Sequence, residues 1–301
     1  MSKSSSHLLK LARHCIASPL CLTVPACGRN SPSAMQKYWH VINIGIQNTL
    51  VYRANFFFRS AFSLIPLFAT ISLWRAIYSG KSGLEIAGYT LAQMISYYLV
   101  VTIVDAFTAV AEDDWQIAAD IKDGNISQFL LKPIDYLTYR LCLYGAGRII
   151  FILCSVVPVG LFLYFQRANF VVPTDAATYG WFALSLVFTA LLQFLISYTM
   201  ALLAFWVQEV STFIFILYAF EHAAGGHLFP LDILPAPLLK VLYLTPFPYQ
   251  LFFPVQIYLG RTTGAALYQG LVVQAAWVVA MYFFARFVWS RGIRKYSAVG
   301  G

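Results

Sequence analysis

The sequence predicts an all-α polytopic membrane protein with six transmembrane helices, an N-terminal interfacial helix, a cytoplasmic coupling helix and re-entrant half-helices on the outer side. Three observations predict it. Of 301 residues, 60% are hydrophobic and 11% charged, far below the roughly 25% charged of a soluble domain. The apolar residues gather in runs close to the roughly 20 residues that cross hydrocarbon. Lys and Arg stand at the ends of those runs and not in a patch with interleaved aromatics. The net charge of +8 therefore reads as a topology signal, and nucleic acid is not an expected partner.

Residues 1–34 are Ser-rich and basic, with a weakly apolar stretch broken by Pro19 and Pro25. A cleaved signal there would leave Arg291, Arg294 and Lys295 outside, against the positive-inside bias. They read as a disordered or mis-assigned extension, with Met35 as an alternative start. Deleting them is expected to leave insertion and activity intact; loss of stable protein from the membrane would contradict that.

Residues 35–59 mix apolar side chains with Lys37, His40, Asn43, Gln47, Asn48, Arg53 and Arg59, too polar to span, and read as an elbow helix on the inner leaflet. A membrane domain over 60–290 follows, with spans expected at 60–78, 87–110, 139–165, 179–207, 210–224 and 265–288. The fifth is short. Lys and Arg sort mainly to one side of these spans, which places both termini in the cytoplasm, including the tail 291–301.

The one long polar stretch is the segment 111–138. From Asp113 to Asp123 its polar residues Asp113, Gln116, Asp120 and Asp123 fall on one helical face and Trp115, Ala118 and Ile121 on the other. Gly124-Asn125 supplies a stop, and Pro133 opens the next span. The segment is a cytoplasmic elbow: either a solvated loop, or a docking element whose apolar face needs a partner because so short a helix is marginal alone. The outer loop 225–262 is apolar but broken by Pro230, Pro235, Pro237, Pro246, Pro248 and Pro254. Half-helices dipping into the outer leaflet satisfy both features if protein or water covers the freed backbone groups.

The order of parts resembles the permease subunits of type-two ATP-binding-cassette (ABC) transporters, the exporter-like class. The residues that carry it are Ile121-Lys122-Asp123-Gly124-Asn125-Ile126 with Leu130-Leu131-Lys132-Pro133, then Gly226-His227-Leu228-Phe229-Pro230-Leu231 with Leu234-Pro235 and Pro246, and the tail Tyr296–Gly301. The resemblance runs from about Met35 to Gly301. It implies a bacterial inner-membrane, multi-pass permease, working with a second permease copy or paralogue and driven by a separate ABC ATPase, with export as the expected direction. It implies ATPase docking at Asp113, Trp115, Ile117, Asp120, Ile121, Lys122, Asp123, Gly124 and Leu131, with Trp115, Ile117 and Ile121 filling the ATPase cleft. An outer gate is expected at Gly226, His227, Phe229, Pro230, Pro235 and Pro246.

This chain has no phosphate-binding loop of its own. In Ser79-Gly80-Lys81-Ser82, Arg75 stands where the earlier glycine is needed. No HExxH or GxSxG is present, and His222 and His227, five apart, do not share a helical face. No catalytic residue, metal site or cofactor is expected. The five cysteines, Cys15, Cys21, Cys27, Cys142 and Cys154, have no metal spacing and read as small apolar residues.

Three ionisable residues inside or near spans remain. A charge at the middle of a bilayer costs roughly 2.5–3.5 kcal/mol on insertion scales. Asp105 either lines a substrate path or gate, or pairs with a basic residue such as Arg148. Glu221 and His222 either form a structural pair or meet substrate. A secondary transporter remains the rival, and it predicts helix breaks at the midplane; the breaks here are expected at the outer face. A structural membrane protein is a further rival, opposed by the docking segment.

Overall fold

The computed structural model describes residues 34–79, 85–110 and 113–296, without the side chains of Ala34 and Asp113. The extension up to residue 33, residues 80–82 of the phosphate-loop-like fragment and the tail beyond Tyr296 lie outside them. Among the described residues, those from His40 onward form one compact unit. The structure is 81% helical with no strands among the described residues, as expected of an all-α membrane protein.

Among the described residues twelve α-helices follow in order. They are α1 (Ala34–Val51), α2 (Arg53–Tyr78), α3 (Leu91–Thr108), α4 (Asp113–Lys122), α5 (Ile126–Leu130), α6 (Tyr136–Gln166), α7 (Ala176–Ala201), α8 (Ser211–Gly225), α9 (Ala236–Leu242), α10 (Phe247–Gln250), α11 (Phe252–Tyr258) and α12 (Gly264–Lys295). The helix starts are written locally. Thr90 and Gln93 close a capping box on α3, and Asp135 and Asp175 accept the amides of Thr138 and Ala177 at the starts of α6 and α7.

Among the described residues five helices are long and apolar enough to cross a membrane: α2, α3, α6, α7 and α12, with short 3-10 turns extending α6 and α7. The fifth expected span is α8, whose 15 residues rise about 22 Å, short of the roughly 30 Å of hydrocarbon. The expected elbow also ends early. Its helix breaks at Tyr52, and Arg53 to Arg59 form the first turns of α2.

The apolar window of α7 is 61% buried and that of α3 is 56%, against 17% for α2, 22% for α6 and 17% for α12. α3 and α7 are therefore the interior pair, and the other three present their apolar faces outward, as lipid-facing helices do. The proline-broken stretch folds back into this core. Every residue of α11 from Phe252 to Tyr258 is buried. The carbonyl of Tyr249, in the last turn of α10, accepts from Gln274 Nε2 at 2.9 Å and from Thr189 Oγ1 at 3.4 Å. Side chains of α12 and α7 thus cover a backbone group that the break releases. Thr189 lies thirteen residues into α7, roughly 20 Å along it, so α10 and α11 penetrate deeply from the α9 end of the bundle.

Candidate functional site

α8 enters from the opposite end, beside α4, and stops inside the bundle. Its stop is Gly226, at φ 98°, a left-handed backbone that glycine adopts without steric cost. Tyr97 Oη of α3 donates to the Gly226 carbonyl at 2.6 Å, Tyr98 Oη to that of Leu228 at 2.8 Å, and Tyr89 Oη to Asp232 at 2.8 Å. Residues 226–232 therefore run alongside α3 rather than outside the bundle. The tips of the two broken elements meet there, with Gln250 Nε2 of α10 donating to Glu221 Oε1 of α8 at 3.0 Å. The expectation that all helix breaks lie at the outer face is corrected. Gly226 and His227 lie beside the interior turns of α3 because α8 is too short to carry them across.

A chamber of about 320 Å³ opens at this junction. Asp105, Glu221 and His222, the three ionisable residues singled out from the sequence, all line it, together with His227, Gln193 and Tyr218. Asp105 Oδ1 lies 3.2 Å from His227 Nε2, so its neighbour is this imidazole and not Arg148 as the sequence analysis offered. The rings of His222 and His227 stack with centroids 4.4 Å apart. Helical spacing alone predicted no shared face, but the turn at Gly226 swings His227 back over the last turn of α8. Of the other residues expected at a gate, Pro230, Pro235 and Pro246 precede short helical turns of the re-entrant stretch, and Phe229 is half-buried.

Gln193 and Tyr218 were missed by the sequence analysis. Gln193 carried a signal, being a lone amide in the apolar run of α7. Tyr218 carried none, because a tyrosine in an aromatic-rich helix looks like core.

At the far end of α8 lies the polar segment. α4 does not offer its apolar face outward: Ile117 and Ile121 are 0% and 4% exposed, packed with Ile126, Tyr136, Phe194 and Tyr198 of the same chain. The expectation that they anchor a partner is corrected on that ground, since the marginal helix is stabilised by its own bundle. Trp115 is half-buried with its ring edge-on to Phe215 of α8, centroids 5.8 Å apart. Buried Asp114 accepts from Tyr218 Oη of α8. Asp120 accepts from Tyr136 Oη at 2.8 Å and lies 3.8 Å from the buried Arg140 guanidinium, so it braces α4 to α6.

Gly124, at φ 78°, ends α4 as expected, and its carbonyl accepts from Tyr296 Oη beyond α12 at 3.1 Å. At the α6 cap burial works against ionisation of Asp135, but its bonds to Arg286 and Thr138 hold the carboxyl below its ordinary pKa. What stays open is the tip: Lys122 and Asp123 are exposed, and Leu130 and Leu131 are 48% and 88% exposed. Ile117→Ala is accordingly expected to cost about 2–5 kcal/mol of stability in the permease itself, read as a lower unfolding temperature without any partner present.

A model of the ABC-2 family transporter proteins matches residues 64–300. The chain belongs to this family. No curated protein and no solved structure matches it. An ABC-2 permease is a membrane transport subunit that works with an ABC ATPase, which gives the braced segment and the chamber a common context. Tyr218, midway along α8, is tied to Asp114 of α4 and also lines the chamber.

Proposed function

We propose that this permease is driven by a separate ABC ATPase docking on the tip of the 111–138 segment, and that the chamber at the end of α8 is a station on the substrate path. The observation that carries the reading is the exposed Leu130-Leu131 pair, on the same segment as the exposed Lys122 and Asp123, a segment whose other face is locked into the bundle. A partner pressing there meets α4, and through Asp114–Tyr218 it meets α8. Gly124 belongs to this surface, while Trp115, Ile117, Asp120 and Ile121 transmit load within the chain. A second permease copy or paralogue completes the transporter through the apolar outer faces. The α4/α5 end faces the bacterial cytoplasm with both termini, and the direction is export.

Side-specific labelling of single cysteines, with the native ones replaced, tests the orientation. Lys295→Cys is expected to react only from the cytoplasm and the exposed Leu244→Cys only from outside; the reverse pattern overturns the assignment. The interior break at Gly226 favours a second reading, a secondary transporter with half-helices meeting at the midplane, and energy dependence separates the two.

A further inference from the structure

We propose that the chamber binds a singly charged organic ammonium ligand, an inference that rests on the chamber being part of a transport path. Three carboxylates elsewhere among the described residues meet guanidinium groups: Asp120 lies near Arg140, Asp232 near Arg261 and Asp135 near Arg286. The two in the chamber do not follow this pattern. Asp105 is bonded to the imidazole of His227, and Glu221 to the neutral amide of Gln250. Neither has an Arg or Lys salt-bridge partner among the described residues. Arg59 also lines the chamber, so its charged lining is two carboxylates against one guanidinium, with His222 and His227 beside them. Glu221, which faces a neutral amide inside the chamber, has no cation among the described residues to offset its desolvation, and a bound ammonium would supply one.

Two independent features point the same way. Gln193 is only 8% exposed, lines the chamber, and its Oε1 has no hydrogen-bond partner. Buried polar atoms without partners are rare, and this one is an acceptor waiting for a donor. α8 also ends at the chamber, where Glu221 and His222 of its last turns line it, and the C-terminal end of a helix carries partial negative charge that favours a cation. A ligand with a positive centre and a hydroxyl or N–H donor satisfies all of these groups. Access is built in, because an adjoining cavity shares Arg59, Asp105, Ala109 and Val110 with the chamber.

Choline and its neutral isostere 3,3-dimethylbutan-1-ol test the charge requirement on the purified full chain in detergent, by calorimetric titration and by shift of the unfolding temperature. Choline is expected to bind and stabilise, and the isostere to do neither. Asp105→Asn is expected to weaken choline at least tenfold and Gln193→Leu severalfold, whereas the exposed Glu209→Gln leaves it unchanged. If Asp105→Asn does not fold, Gln193→Leu with the isostere comparison decides. No binding of choline, equal binding of both compounds, or choline affinity unaffected by the chamber variants overturns the proposal. No ATPase is present in this assay, so its outcome is separate from that of the docking reading.

Discussion

Leu131→Asp is expected to abolish co-purification of the ATPase and all ATP-dependent transport while leaving the permease folded in the membrane. The side chain is 88% exposed, so the charge costs its own bundle little. An apolar anchor at the centre of a docking surface is commonly worth about 2 kcal/mol or more, roughly 30-fold in affinity, and a carboxylate there adds the cost of burying a charge. Lys122→Ala, at the rim, is expected to cost about 0–1 kcal/mol. Unaltered ATPase binding by Leu131→Asp would remove the tip from the interface.

The second large effect is expected at Gly226→Ala. The residue sits at φ 98°, and a Cβ there would stand 2.6 Å from Tyr97 Oη, the group that holds its carbonyl. Backbone strain alone costs about 1–3 kcal/mol, and the hydroxyl must move, releasing the end of α8 and with it the place of His227. Loss of transport and a lowered unfolding temperature are expected together. Gly160→Ala, where a Cβ meets nothing within 4 Å, is the control, and Ala there is neutral or favourable to the helix. Equal behaviour of the two variants would mean that the break at Gly226 is not a fixed point of the fold.

Much of this fold was legible because bilayer physics is coarse: run length, flanking charge and proline breaks fixed the helices and their order. The depth of the breaks was not legible. Nothing in Ser211 to Gly225 says that the helix stops inside, since a 15-residue apolar run fits a short span or a half-helix equally well. The direction of the amphipathic α4 was misread for a related reason. Periodicity shows that Ile117 and Ile121 share a face, but not whether that face is covered by a partner or by Phe194 and Tyr198 from residues far along the chain. Asp105, Glu221 and His222 were found singly by the cost of charge in hydrocarbon; their meeting depended on the left-handed turn at Gly226, which swings His227 under Asp105. Gln193 went unnoticed because amides attract less suspicion than charges.

In the proposed reading, transport is driven by ATP hydrolysis in a separate chain docked on the tip at Leu130-Leu131. The most direct measurement co-expresses this permease with candidate ABC ATPases, purifies any complex that forms, and follows ATP hydrolysis and transport in liposomes of defined ion gradients. A stable complex whose transport requires ATP and ignores the collapse of ion gradients is the predicted result. A permease that purifies alone and moves solute down an ion gradient without nucleotide would contradict it.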